Sequence, residues 1–269
     1  MSLLHLQSLA VQINREHCLV LQLSRQSQHF VVEHFSQQHY SSLGHQKLKK
    51  GQVVSALDYS ATHYQKIPLQ AEFQVEEQLL QKLPPQLKTD TGITYDYVTD
   101  DNSELEAVIG HRSALEKLLI QLEPLQMPVQ VVEPTYQSVV RATNALLPYL
   151  WPDDALFESL MEWVIIELRR PQCIALYCKN GVFQRLEYVD TTHLITFLLS
   201  TELRWVMSFG DKALQSSLEQ QLAEHSPLQH IALSTAPFFN GNSPPVISAL
   251  DNEIVLLGLA LRGFNQWHR

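Results

Sequence analysis

The chain of 269 residues has no apolar run long enough to cross a bilayer, only three cysteines, and few basic side chains, 19 Lys and Arg against 28 Asp and Glu. A membrane helix needs about 20 uncharged apolar residues, and the start MSLLHLQSLA lacks the basic region that opens a secretory leader. The formal charge of −9, with a pI near 5.7, argues against a nucleic-acid surface. The one basic run, residues 47–50, reads as a solvated turn. Cys18, Cys173 and Cys178 lie in apolar stretches without the paired spacing of a metal site, so buried, reduced thiols are expected. Glycine-rich phosphate loops are missing as well: there is no Walker-type Gly-Lys-Ser/Thr loop and no Gly-x-Gly-x-x-Gly fingerprint, and no serine stands in a Gly-x-Ser-x-Gly elbow. The expected setting is the cytoplasm, with any membrane role exerted through a partner.

What is present is a globular pattern, 45% hydrophobic and long enough for one large domain or two smaller ones. Short apolar runs at 9–13, 18–23 and 29–35 predict a three-stranded meander. Residues 163–168, 173–179 and 182–189 repeat the layout, with the hairpin pair Asn180-Gly181 at the second turn. A repeated meander predicts a duplicated α/β fold. Behind the first meander, 53–60 reads as a strand and 135–147 as a helix. Behind the second, 191–200 reads as a helix, 203–209 as a strand and 211–222 as a helix capped by Asp211.

Residues 62–127 have another texture: a strand at 63–69, a helix at 74–83 stopped by Pro84-Pro85, strands at 93–98 and 105–109, and a helix at 113–122. This predicts a small inserted α+β subdomain. Residues 240–245 read as a loop. The tail EIVLLGLALRG, 253–263, reads as a largely buried closing helix with Leu250, Ile254, Leu257, Gly258 and Leu261 on one stripe. Gly258 costs such a helix about 1 kcal/mol relative to Ala, so a structural reason for it is expected.

No catalytic constellation stands out. His29, His34 and His39 recur every five residues, a spacing that alternates faces on a strand and scatters around a helix, so no shared metal site follows. Asp100-Asp101 reads as loop chemistry, and Asp153-Asp154, after Pro152, as the start of a helix.

Four stretches resemble the PilM proteins of type IV pilus assembly, within them the short HofM and competence-associated (ComA-like) branch. They are AVQINREHCLVLQLSR, VVSALDYSATHYQKIPL, HRSALEKLLIQLEPLQMPVQVVEPTYQSVVRATNAL and the ending GLALRG. The resemblance implies an actin-like fold akin to FtsA, two ribonuclease-H-like halves flanking a cleft. Subdomain 1A would be 1–61 plus 128–160, an inserted 1C 62–127, and 2A 161–250, with 251–269 a C-terminal helix packing back toward 1A; the 2B lid would be missing or minimal. It also implies a nucleotide site, whose turns depart here from the longer relatives. Gln12, Asn14, Arg15 and Glu16 stand where those carry an Asp followed by small hydroxyl residues. Glu167, Leu168, Arg169 and Arg170 stand where they carry Asp-Ile-Gly, and Phe209-Gly210 stand for a glycine pair.

The expected site is therefore vestigial, at Gln12, Asn14, Glu167, Arg169, Phe209, Gly210 and Gly258, with no cofactor and no enzymatic activity. The alternative is a true ATP-binding protein in which Glu167 holds Mg²⁺ and Arg169 and Arg170 replace the lost glycines. The implied partner is the N-terminal tail of a PilN-like inner-membrane protein, held between 1A and 1C, with Tyr59, Tyr64 and Tyr136 as candidate contacts. Pilus motor or platform proteins are further implied partners; nucleic acid and direct membrane insertion are not. The chain would sit in the cytoplasm against the inner membrane through that partner, in a pilus, a DNA-uptake machine or a mannose-sensitive haemagglutinin (MSHA-type) pilus.

Overall fold

A computed structural model describes residues 7–14, 17–26, 29–45, 47–68, 74–88, 92–99, 104–150, 162–224, 228–239, 244–250 and 253–265. The first meander forms as β1 (Gln7–Asn14), β2 (His17–Gln26) and β3 (His29–His39), antiparallel neighbours in order. β4 (Gln52–Leu57) then pairs parallel to β1, and β8 (Val129–Pro134) parallel to β4, giving the order β3-β2-β1-β4-β8. The second meander is β9 (Glu162–Leu168), β10 (Gln172–Lys179) and β11 (Val182–Asp190), followed by parallel β12 (Trp205–Gly210) and β13 (Gln229–Ala232). Its order, β11-β10-β9-β12-β13, repeats that of the first sheet. Asn180 and Gly181, both at positive φ, make the hairpin turn that the Asn-Gly pair anticipates.

Between β4 and β8 lies a third sheet, β5-β7-β6, from β5 (Thr62–Pro68), β6 (Ile93–Thr99) and β7 (Glu104–His111). Helix α1 (Val75–Lys82) covers one face of it through Leu79, with Leu83 beyond the helix end, against Ile67, Leu105 and Ile109. The short α2 (Pro85–Lys88) follows, after the Pro84-Pro85 stop. Helix α3 (Arg112–Leu122) does not belong to this unit. Its Leu118 and Leu122 pack with Leu9, Val11, Val20 and Val53 of the first sheet. The small unit therefore ends near His111 rather than at 127, because the apolar stripe of α3 faces the larger sheet.

The core is layered. α3 backs the outer face of the first sheet; α5 (Leu194–Ser200) and α6 (Lys212–Glu224) back the outer face of the second through Leu194, Leu198, Leu218 and Leu222. Between the two inner faces lie α4 (Thr135–Leu150) and the closing helix α8 (Ile254–Asn265), in one continuous buried cluster with residues of both sheets. Asp211 caps α6, its carboxylate accepting from the N–H groups of Ala213 and Leu214 at 2.9 and 3.1 Å. The connection from α5 to β12 is only residues 201–204, and between β3 and β4 the sole helical piece is a 3-10 turn, Tyr40–His45.

Three elements differ from the sequence reading. β8 and β13 were not anticipated; β8 carries its polar residues Gln130 and Glu133 among valines. A helix α7 (Pro244–Leu250) begins where a loop is expected, since a proline opens a helix as readily as it ends one. Lys49, read as solvated, is tied into the fold: the Gln22 amide donates to its carbonyl at 2.7 Å and its ammonium pairs with Glu33. Asp100-Asp101, the Asp153-Asp154 helix start, Arg15, Glu16 and residues 240–243 lie outside the described residues. All three cysteines are free and buried; burial pushes Cys18 upward and Cys178 to about 12, so neither thiol is readily ionised.

Candidate functional site

The cleft between the halves is built where β4 and β9 end. Asp58 closes β4, and its carboxylate caps a 3-10 turn, Tyr59–Ala61, by accepting from the Ser60 N–H at 3.0 Å. The turn delivers Tyr59, 3% exposed, toward β9. There its hydroxyl faces the buried carboxylate of Glu167, and the two groups interact directly. Burial holds the Glu167 carboxyl above its ordinary range, Tyr59 and Arg169 opposing the shift. Gln12 keeps a buried amide oxygen without a partner near the end of β1.

Arg169 leaves β9 and turns back to the first half. Its guanidinium lies 3.6 Å from the Asp58 carboxylate and 5.4 Å from the centre of the Tyr59 ring. Arg170 reaches Asp211 at 3.9 Å. The turn is tied down from behind, the Thr191 hydroxyl donating to the carbonyl of Pro171 at 2.6 Å. Phe209 is 3% exposed and part of the central core. Gly210, at φ +110°, lets the Asp211 N–H donate to the Leu168 carbonyl at 2.8 Å, and a Cβ there would overlap that carbonyl.

Gly258 sits against α4: a Cβ there would overlap the main chain of Ser138, and one at Gly263 would overlap the Ser8 side chain of β1. The sequence reading anticipates a structural reason for Gly258, and close packing on Ser138 supplies it. Around this contact lies an ion cluster the sequence did not disclose. Glu133, 4% exposed, accepts from Arg141 at 2.6 and 2.9 Å and from the Ser138 hydroxyl at 2.6 Å. Arg262 of α8 approaches the same carboxylate at 3.7 Å, and Arg141 also donates to the Gly258 carbonyl at 3.0 Å.

The three tyrosines come together, but not between the first and small sheets. Tyr136 of α4 and Phe183 of β11 stack with their rings 4.2 Å apart, and Tyr64 of β5 meets both edge-on. With Tyr59 they line a cavity of about 560 Å³ that opens between the small sheet and β11. Tyr59 and Tyr136 are each 3% exposed, so they weld the halves as well as line the cavity. Asn144 of α4 adds a bond to the carbonyl of Gly181 at 2.8 Å. The space between the first and small sheets is instead a shallower groove of about 150 Å³, with Leu57, Val132 and Pro134 on one wall and Thr94, Asp96 and Val108 on the other. Among the described residues no cluster of His, Cys, Asp and Glu could hold a metal ion, and no helix is long and apolar enough to cross a membrane.

No family model matches the sequence, and no curated protein matches it significantly. Solved structures do match. The PilM–PilN type IV pilus biogenesis complex is similar over 95% of this chain and 98% of that one, at 10% identity and a TM-score of 0.71. A Bacteroides thetaiotaomicron protein with an actin-like ATPase fold is similar over 84% and 90%, at 10% identity and a TM-score of 0.51. The cytoplasmic domain of EpsL, an inner-membrane component of the type II secretion system of Vibrio cholerae, is similar over 76% and 82%, at 12% identity and a TM-score of 0.50. Identities this low speak to architecture, and together with the two sheets of one repeated order they establish that this chain has an actin-like α/β fold.

Proposed function

We propose that the chain is a non-enzymatic, actin-like scaffold of a type IV pilus or DNA-uptake assembly platform, which holds the cytoplasmic N-terminal tail of a PilN-like inner-membrane protein. The observation that supports the reading is how the residues of the cleft are paired. The two arginines that could grip a phosphate pair with Asp58 and Asp211, and Phe209 is core. The glycines that would let main chain approach a nucleotide are packed instead against Leu168 and Ser138. A phosphate cradle needs free, converging N–H groups, and the paired arginines and packed glycines argue against one. The similarity to the PilM–PilN complex supports the partner class, and the groove between the first and small sheets supports the place. Asp96 gives that groove negative charge, which suits the basic cytoplasmic flank of a membrane protein. Titration of the chain with the tail peptide of the neighbouring PilN-like protein tests the reading; absence of binding at high micromolar peptide would defeat it.

A further inference from the structure

We propose that the slot between the edges of β5 and β11 takes a second, extended polypeptide segment, uncharged and apolar at alternate positions, that adds a strand to both sheets. This goes beyond the tail-binding reading, which concerns the other side of the small sheet. Six consecutive residues of β11, Phe183 to Tyr188, line the cavity of about 560 Å³, as do three consecutive residues of β5, Thr62 to Tyr64. Successive strand residues point to opposite faces, so a wall made of consecutive residues is the strand's edge, its main chain included. Among the described residues both strands are terminal in their sheets, β11 in β11-β10-β9-β12-β13 and β5 in β5-β7-β6. Two edges therefore face one space, and an unpaired edge is a template for another strand.

The walls also set chemistry. Tyr64 of β5 meets Phe183 of β11 edge-on at one end of the slot. The charges at the mouth cancel in pairs, Asp58 with Arg169 and Arg185 with Glu187, so a charged segment finds no net complement. Phe183 and Leu186 belong with Tyr59, Tyr64 and Tyr136 to the central apolar cluster, which suits alternate apolar side chains on that face.

The experiment selects from a displayed library of random peptides of about a dozen residues against the full chain, then measures the winners on two variants. Ser60→Trp fills the slot and Tyr188→Ala removes its exposed rim; both side chains are exposed, so melting should hold. The proposal expects peptides with alternating apolar residues whose affinity falls about tenfold or more in both variants. It also expects slowed amide exchange on binding at residues 62–64 and 183–188. It is overturned if no peptide is enriched, if the variants bind the selected peptides as wild type does, or if protection appears only in the groove lined by Leu57 and Val132.

Discussion

Glu167 is the residue on which the cleft turns, because a carboxylate held almost out of water carries a desolvation cost at neutral pH that Tyr59 and Arg169 only partly offset. Its folded pKa lies above the unfolded one. Such a group contributes fully below the ordinary carboxylate range, and the contribution is lost as pH rises through the raised value. Glu167→Gln should therefore melt higher than wild type at pH 7, and the difference should fade on acidification below the ordinary range. Melting curves at both pH values check this; a lower melting temperature at pH 7 would show that the charge is held by something more than Tyr59 and Arg169. Gly258 is the opposite case, a residue defined by what it lacks. Gly258→Leu should destabilise the fold by about 3 kcal/mol, the upper part of the overpacking range, and lower melting by several degrees. Unchanged melting would show that α8 does not lie on Ser138.

The closing helix α8 is fixed as an element by three sequence features that act together. Gly258 and Gly263 set its approach to α4 and β1, its leucines fill the central layer, and Arg262 joins Arg141 on Glu133. Removing one partner of a buried pair leaves the other charge uncompensated, at about 3–5 kcal/mol. Arg141→Ala should cost about 3 kcal/mol, because Glu133 stays buried and only the longer Arg262 contact remains. The double variant Glu133→Gln/Arg141→Met should be milder than Arg141→Ala alone, which denaturant unfolding would resolve.

Much of this was legible. The period-2 runs located both meanders, Asn180-Gly181 named its turn, and Asp211 its cap, because each is a local signal. Other features are not local. The sequence does not say that Asp58 meets Arg169, that Glu133 meets Arg262, or that α3 turns its stripe to the larger sheet, since these are pairings across 111, 129 and 65 to 113 positions of chain. For the same reason Tyr59, Tyr64 and Tyr136 could be grouped in advance but not assigned to the second-half side of the small sheet.

At the scale of the whole molecule, two half-sheets of one order share a core that α4 and α8 fill from one side to the other. The ring cluster of Tyr64, Tyr136 and Phe183 and the Arg169–Asp58 pair add cross-links between the halves. A nucleotide that bound this cleft at 100 times its dissociation constant would add about 2.7 kcal/mol. Millimolar Mg-ATP should instead leave the melting temperature where it is, and an upward shift of several degrees would restore the ATP-binding alternative with Glu167 as its metal ligand.

The groove between the first and small sheets carries the central claim, and a calorimetric titration with the tail peptide of the PilN-like neighbour addresses it. Wild type should bind at micromolar concentrations, and Asp96→Arg, exposed and outside the core, should weaken binding about tenfold with unchanged melting. No heat at high micromolar peptide, or equal binding by the variant, would contradict the account.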